Sequence, residues 1–363
     1  PDAVMGDLNA QLAACNVGAR RIAQLAGELG DNQALAIFDE LLDRSEVLTR
    51  AALRTIPAGT YRYVDYSDND GIDLDRPIRF EVAVTVKDGT FHCDFTGSSP
   101  QVRGPFNCVP SGSLAAACYA VRAVTDPSIP TNAGCFRPIT LELPKGSIVN
   151  PVEPAPVNAR TATIKRITGC ILGALKEVLP ERVPADSSGE LVVLAFGGKH
   201  AGGAPFVTGE LIAGGSGAGV HSDGVDVIET DVTNCMNLPV EAMEMESPIR
   251  VHRVALRQDS GGPGRRRGGL GVVKEYEVLD GEISFTYRGE RHFYAPKGAK
   301  GGGDGAKARA VIRRADGTEE VVASKVMARL RRGDRVVVET AGGGGNGLPT
   351  ARDADSLALD LAD

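Results

Sequence analysis

Apolar residues near the start of the chain recur at helical spacing. They follow one another every three or four positions from Asp7 to Leu29, and Gly30 then provides a stop signal. The same spacing returns over residues 32–53, and Pro57 ends this second helix. The pattern predicts a helical hairpin over residues 1–57.

The next part of the chain mixes strand and helix patterns. Apolar and polar side chains alternate, as in half-buried strands, in three segments: 59–66, 78–86 and 91–95. An Asp88-Gly89 pair between the last two is typical of a hairpin turn. Helical spacing returns in two segments: 114–124 and 163–179. We therefore expect an α+β body over residues 58–190.

Glycine clusters separate the apolar runs of the second half. They lie at 197–198, 202–203, 214–215, 261–262, 268–269, 301–303 and 342–345. Short apolar runs between closely spaced glycines are typical of a β-rich domain with tight turns. We expect such a domain over residues 191–350 and a polar tail over 351–363. The predicted fold class is α+β, with a helical hairpin, a mixed α/β body and a glycine-rich, β-dominated C-terminal half.

Composition and charge exclude several classes of protein. A length of 363 residues predicts roughly two domains, and no apolar run reaches the ~18 residues that a membrane helix needs. A net charge of -7 gives no basic footprint for nucleic acid. The seven cysteines form no C-x-x-C pair, which favours buried thiols in a reducing cytoplasm over a structural zinc site.

Two arginines lie in loops framed by proline and glycine. Arg103 belongs to Q-V-R-G-P-F-N, which ends at Asn107, and Arg137 belongs to A-G-C-F-R-P-I. A guanidinium in such a loop can bind a carboxylate or a phosphate through two parallel hydrogen bonds. The alternative role is a structural ion pair that fixes the loop.

Acidic and amide side chains mark two further segments. Asp223 follows His221 by two residues, so a turn could direct both at one ligand, or Asp223 could bind its own backbone. Asn234 and Asn237 precede Glu241 and Glu244, either of which is a candidate acid or base. These residues would line a pocket, or the amides would organise the loop.

Two glycine-rich loops lack the features of nucleotide sites. Residues 259–269 have no G-K-[ST] ending and precede a predicted strand instead of a helix. Residues 342–347 follow a strand, but Leu348-Pro349 and the polar tail come next. A glycine-walled contact surface, or close packing against another chain, explains the loop of residues 342–347 better.

Six long motifs, in this order, resemble the hydantoinase B/oxoprolinase family. They are D-F-T-G-S-S-P-Q-V-R-G-P-F-N (94–107), I-P-T-N-A-G-C-F-R-P-I (129–139), N-P-V-E-P-A-P-V-N-A (150–159), T-N-C-M-N-L-P-V-E (233–241), D-S-G-G-P-G-R-R-R-G-G (259–269) and T-A-G-G-G-G-N-G-L-P (340–349). Family members are longer, and a part that precedes the helical hairpin carries their histidine and aspartate metal ligands. The resemblance therefore implies the C-terminal portion of a B-type subunit.

The resemblance further implies an ATP-dependent hydrolase of cyclic amides such as hydantoins, 5-oxoproline or other lactams. ATP with Mg would bind to an A-type partner subunit. A divalent metal would be held by ligands outside this chain, on the segment or chain that carries the missing N-terminal part. Two alternatives stay open: a ketone carboxylase subunit of the same family, and a non-catalytic scaffold chain.

Motif membership and polarity select the residues that would line the substrate pocket. They are Arg103, Asn107, Arg137, Asp223, Asn234, Asn237 and Glu241. The expected partners are the A-type subunit and a small cyclic amide or ketone, with no nucleic acid and no membrane. We expect no cofactor or metal ligand within this chain.

Overall fold

The computed structural model describes residues 2–362 and folds them into six α-helices and thirteen β-strands. The helices are α1 (Asp2–Leu29), α2 (Asp31–Leu53), α3 (Pro110–Val124), α4 (Arg160–Leu175), α5 (Val240–Glu246) and α6 (Ala354–Ala362). The strands are β1 (Gly59–Ser67), β2 (Ile78–Lys87), β3 (Thr90–Asp94), β4 (Ile139–Glu142), β5 (Val192–Lys199), β6 (Pro205–Ile212), β7 (Ile249–Leu256), β8 (Val272–Val278), β9 (Glu282–Arg288), β10 (Arg309–Arg313), β11 (Glu319–Val321), β12 (Lys325–Arg331) and β13 (Arg335–Glu339). The predicted α+β class is confirmed.

The two N-terminal helices form where the periodicity predicts them, but most of their apolar side chains are exposed. Gly30, at φ +83°, separates α1 from α2, a backbone conformation that favours glycine. Ile22 of α1 and Leu35 of α2 are each 61% exposed. The expected hairpin therefore consists of two helices whose apolar faces do not bury one another.

The second half of α2 packs on the rest of the chain. Ser45, Thr49 and Leu53 of this helix are buried. Asn132 donates a 2.8 Å hydrogen bond to the Ser45 hydroxyl. A side chain at Gly134 would lie 1.9 Å from the Leu42 carbonyl, so glycine permits the close approach of this loop to the helix.

The first hydrophobic core lies between a four-stranded sheet and two helices. The strand order is β1-β2-β3-β4, with β3 and β4 parallel and the other pairs antiparallel. Helices α3 and α4 supply Val121 and Ile171, which are buried with Phe80 and Phe91 of the sheet. The alternation of side chains in β2 explains this burial, because one face of the strand meets the helices.

The second core is a sandwich of two antiparallel sheets. One sheet has the order β11-β10-β13-β8-β7, and the other has the order β12-β9-β5-β6. Phe196, Phe285 and Tyr276 meet between them. The two cores divide between Val183 and Val192. The division of the chain into domains remains a prediction.

Glycine loops stack backbone against backbone beside the sandwich. Gly343 donates to the carbonyl of Gly269, and Gly269 donates to that of Ser216, at 2.9 and 2.8 Å. A side chain at Gly343 would lie 1.8 Å from the Ser216 carbonyl oxygen. The sequence suggests a glycine-walled contact surface or packing against another chain for residues 342–347, whereas in the structure these glycines pack against other loops of the same chain.

The C-terminal polar segment ends in helix α6, which is tied to the glycine loops. Arg352 bonds Asp360 of this helix at 2.6 Å and Asp223 at 2.9 Å. None of the helices within residues 2–362 combines the length and the apolar character needed to cross a membrane.

Candidate functional site

Buried charged side chains meet where the first core faces the sandwich. Asp65 of β1 bonds Arg166 of α4 at 2.6 Å and Arg291, in the loop after β9, at 3.2 Å. Arg291 also donates to the Ser188 carbonyl at 2.7 Å. These three residues and the charged side chains next to them form one cluster, which we call the junction network. Its members are Asp65, Asp68, Arg166, Glu190, Glu290, Arg291 and Lys325.

Asp65 is the anion shared by both cores. Burial raises the pKa of its carboxyl, but the attraction of Arg166 and Arg291 outweighs burial and lowers that pKa to about 2. The Tyr66 backbone N–H also donates to Asp65 at 2.8 Å. The carboxylate is therefore charged at neutral pH and holds the two guanidinium groups in place.

A second group of charges extends the junction network toward β12. Lys325 bonds Glu290 at 2.7 Å, and Glu290 also accepts from the Asp68 backbone N–H at 2.8 Å. The Asp68 carboxylate accepts from the backbone N–H groups of His292 and Phe293 at 2.9 and 3.1 Å. Burial, followed by repulsion from Glu290, raises the pKa of Asp68.

Glu190 is the junction residue whose protonation changes near neutral pH. Burial raises the pKa of its carboxyl to about 7, even though the Ala341 and Glu290 backbone N–H groups donate to it. Nearby, Tyr287 bonds His292 at 2.8 Å, and burial lowers the pKa of His292 to about 4. This neutral imidazole and the partly protonated Glu190 limit the net charge buried at the junction.

A small cleft of about 50 Å³ opens beside Arg166. On its wall, Lys165 bonds Glu229 at 2.6 Å. Within residues 2–362, the buried Arg166 Nε and Glu229 Oε2 have no hydrogen-bond partner. Buried polar atoms normally have partners, so ordered water or a small polar ligand fits this cleft.

The carboxylates of the junction network do not fit a metal ion. Asp65 is paired with arginines, Glu290 with lysine, and Asp68 with backbone N–H groups. Across residues 2–362, no group of three or more His, Cys, Asp or Glu side chains could hold a metal. The glycine loops do not form a phosphate cradle either, because N–H groups such as those of Gly343 and Gly344 donate to backbone carbonyls.

The residues selected from the sequence are spread over several places. Asn107 is buried and bonds the backbone of Val102 in both directions, at 2.8 and 2.9 Å. Arg103 is largely exposed and lies 3.3 Å from Asp73, beside a shallow pocket. Arg137 bonds Asp43 of α2 at 2.6 Å. The hydrogen bonds and ion pairs of Asn107, Arg103 and Arg137 hold their own loops in place.

The other selected residues lie on the sandwich side of the molecule. Asp223 accepts from the Arg267 backbone and bonds Arg352. Asn234 and Glu241 are exposed. Asn237 accepts a 3.0 Å hydrogen bond from Lys274 and lines a pocket. The structure therefore does not gather the selected residues into one site, and their role in substrate binding stays a prediction.

Sequence reasoning missed the junction network. Its members come from distant parts of the chain, and Asp65 and Arg291 are separated by 226 positions. One signal was available: Arg166 lies among apolar residues on the buried face of α4. A charged residue at an apolar position of a helix indicates a buried partner.

The chain is similar to known proteins over nearly its whole length. A family model described as hydantoinase B/oxoprolinase matches residues 1–349. An uncharacterized protein of Methanocaldococcus jannaschii is 35% identical over all of this chain and 62% of its own length. The beta subunit of caprolactamase from Pseudomonas jessenii is 30% identical over 99% of this chain and 63% of its own length. The chain thus spans about three fifths of these relatives.

Two solved structures share the fold. The ATP-dependent caprolactamase from Pseudomonas jessenii superposes with a TM-score of 0.82 at 26% identity, covering 98% of this chain and 63% of that chain. A nucleotide-free acetone carboxylase superposes with a TM-score of 0.83 at 20% identity, covering 98% and 54%. The second likeness concerns the fold alone.

Proposed function

This chain belongs to the hydantoinase B/oxoprolinase family, and we propose that it is part of the B-type subunit of an ATP-dependent cyclic-amide hydrolase. The observation that carries this proposal is the likeness to the ATP-dependent caprolactamase over 98% of the chain. The proposed substrate is a hydantoin, 5-oxoproline or another lactam, and we place the complex in the cytoplasm.

An A-type partner subunit would bind ATP with Mg and transfer a phosphoryl group to the amide oxygen. This transfer makes the ring carbon more electrophilic, so that water adds to it. The ring C–N bond then breaks with the amine nitrogen, after protonation, as the leaving group, and a second water cleaves the resulting acyl phosphate to the carboxylate and inorganic phosphate. The glycine loops of this chain donate their N–H groups to one another, which supports nucleotide binding elsewhere. The divalent metal expected in the family would be held by ligands outside residues 2–362, on the part of the longer relatives that this chain does not span.

The contribution of this chain would be to hold two packed cores in a fixed relative position. Asp65 joins strand β1 to Arg166 of the first core and to Arg291 of the sandwich. Buried ion pairs of this kind lose much free energy when one partner is removed. A site at the surface of both cores would therefore keep its geometry through the junction network.

The test is an assay of the native complex purified through this chain. With ATP and a lactam, we expect ring-opened amino acid and ADP to form in equal amounts without bicarbonate. Intact-mass analysis should find an A-type subunit, a segment that corresponds to the part of the relatives not spanned by these residues, and a metal ion together. Bicarbonate-dependent ATP hydrolysis with a ketone, and none with lactams, would instead establish the carboxylase alternative. A complex inactive with both substrate classes would favour the scaffold alternative.

The pocket role of Arg137 is tested by Arg137→Ala. The arginine is exposed and its ion pairs with Asp43 and Glu46 lie at the surface, so their loss costs only about 0–1 kcal/mol of stability. If Arg137 lines the substrate pocket, ring opening weakens while the melting temperature hardly moves. Asp43→Asn, which removes an ion-pair partner and keeps the guanidinium, is the matched control.

A further inference from the structure

The cleft of about 50 Å³ beside the junction network contains an acidic side chain that forms no ion pair with residues 2–362. Three aspartates line this space, which we call the junction cleft: Asp65, Asp186 and Asp231. Asp65 holds two arginines, and Asp186 bonds Lys176 at 2.5 Å. The Asp231 carboxylate, by contrast, accepts one long hydrogen bond of 3.4 Å from the Thr230 hydroxyl. Asp231 is therefore the acid of the junction cleft that remains available to a ligand.

The backbone at Asp231 supports a functional role for this side chain. Its φ is +66°, in the left-handed region that few residues other than glycine occupy. Strained positions of this kind persist where the surrounding structure holds them, and they cluster at active sites. The fold thus keeps an unfavourable backbone conformation at the residue whose carboxylate is free.

A buried lysine fixes the loop on both sides of Asp231. Lys165 of α4 is 1% exposed, and its Nζ donates to Glu229 at 2.6 Å, to the Thr230 carbonyl and to the Thr233 hydroxyl at 3.0 Å. These three bonds use the three protons of the ammonium group, so Lys165 needs nothing from Asp231. The loop is therefore anchored before and after Asp231, while the carboxylate itself faces the junction cleft.

Arg166 adds a hydrogen-bond donor to the same cleft. Its side chain is buried and its Nη1 bonds Asp65 at 2.6 Å, but its Nε has no partner within residues 2–362. Buried donors normally have an acceptor, so an oxygen atom of a ligand would satisfy this N–H. The junction cleft therefore offers a donor for an oxygen atom at Arg166 and a free acid at Asp231.

The surroundings of Asp231 favour the protonated form of its carboxyl. Lys165 and Arg166 face it from α4, Glu229 faces it from its own loop, and Tyr119 faces it from α3. Burial is the largest effect and raises the pKa of Asp231 in spite of the two cations. A carboxyl with a raised pKa keeps its proton closer to neutral pH, where it can serve as a general acid.

We propose that Asp231 is the general acid that protonates the leaving amine nitrogen during ring opening, a role that rests on the function proposed above. Once water has added to the activated carbon, the ring C–N bond breaks, and its electron pair takes the proton of the Asp231 carboxyl. The hydroxyl on the same carbon loses its proton as it becomes the carbonyl of the acyl phosphate, and that proton returns to Asp231 through water.

Arg166 and the size of the cleft complete this assignment. The Arg166 Nε–H donates to an oxygen on the reacting carbon while Asp231 serves the nitrogen. The junction cleft has room for a few atoms only, so the reacting bond enters it and the rest of the substrate lies outside.

The experiment compares Asp231→Asn with the wild type in the native complex, with ATP and whichever of hydantoin, 5-oxoproline and 2-pyrrolidinone the wild type opens fastest. Asparagine keeps the shape of the side chain and tolerates a positive φ, so the melting temperature should not fall. Ring opening should fall about 100-fold or more, the usual contribution of a general acid. ADP should still form on the first turnover, because phosphoryl transfer precedes the step that needs the acid.

The matched control is Asp259→Asn. Asp259 also has a positive φ, of +56°, but it is exposed and does not line the junction cleft. The same substitution in the same backbone conformation should leave ring opening unchanged. In Asp231→Gly, added imidazolium should restore part of the ring opening, because it can donate a proton from the space that the side chain leaves. A purely structural role of Asp231 predicts no such rescue.

Three results would overturn the proposal: ring opening by Asp231→Asn at the wild-type rate, loss of first-turnover ADP together with ring opening, and no rescue of Asp231→Gly by imidazolium. If Asp231→Asn does not fold, as judged by its thermal melt, Asp231→Gly replaces it, since glycine adopts this φ without strain. A wild-type complex that opens none of the three compounds refutes the proposed function itself. An active wild type with an equally active Asp231→Asn refutes the role of Asp231 alone.

Discussion

Arg166 Nη1 lies 2.6 Å from Asp65 Oδ2, in an ion pair that joins helix α4 to strand β1 inside the protein. The same carboxylate holds Arg291, which comes from the sandwich side. A single acidic side chain thus links both cores through two buried guanidinium groups. Its removal would leave two buried cations next to each other.

Asp65→Asn should lower the free energy of unfolding by about 3–5 kcal/mol, because the amide leaves Arg166 and Arg291 without their shared anion. Urea unfolding at pH 7, followed by circular dichroism, measures this change. The control is Glu319→Gln, which breaks the exposed pair with Arg313 and should cost less than about 1 kcal/mol. Equal effects of the two substitutions would contradict a structural role for the buried pair.

The Glu190 carboxyl should make stability fall as pH rises toward neutrality. Burial raises its pKa from 4.5 to about 7, so the folded protein binds this proton more tightly than the unfolded chain. The resulting stabilisation is complete below pH 4.5 and is lost as pH rises through 7.

Glu190→Gln removes this titration. Between pH 4.5 and 8, the wild type should lose on the order of 3 kcal/mol more stability than the variant. Urea unfolding at several pH values provides the comparison, and subtracting the two curves cancels the other titrating groups. Parallel curves for the two proteins would show that Glu190 does not titrate in this range.

Gly343→Ala should destabilise the protein strongly. The new side chain would lie 1.8 Å from the Ser216 carbonyl oxygen, and the stacked loops could accept it only by separating. Gly202→Ala is the matched control, because a side chain there meets nothing within 4 Å. We expect a drop of several degrees in melting temperature for the first variant and almost none for the second. A small effect of Gly343→Ala would mean that the loops are loosely packed.

The exposed apolar faces of α1 and α2 should make the isolated chain self-associate. Contiguous apolar patches of this kind favour association in water. The triple variant Leu12→Gln, Ile22→Gln and Leu35→Gln should therefore sediment as smaller species than the wild type at the same concentration.

The control for this experiment carries three scattered exposed apolar residues instead. Val207, Met327 and Leu348 are exposed, and their replacement by Gln should leave the sedimentation profile unchanged. If the control changes the profile as much as the helix variant does, association does not depend on the helical faces.

Local patterns predicted the secondary structure well and the partners of each surface poorly. Helical spacing correctly located α1, α2 and α4, and alternation located β1 and β2. The same spacing predicted a helical hairpin over residues 1–57, and in the structure both of its helices leave apolar residues exposed. Periodicity identifies which side of a helix is apolar, but it carries no information about what covers that side.

The sequence by itself determined part of the secondary structure, such as α1, α2 and β2, together with the α+β class and the family, because periodicity and motifs are properties of neighbouring residues. The tertiary structure alone decided the contacts between distant residues. Asp65 meets Arg291 across 226 positions, and Glu210 meets Lys274 across 64. Such pairs depend on the path of the chain, and so do backbone contacts between glycine loops. Burial makes the stability of the fold depend on each pair, because a charge removed from water is costly in free energy unless it has a partner.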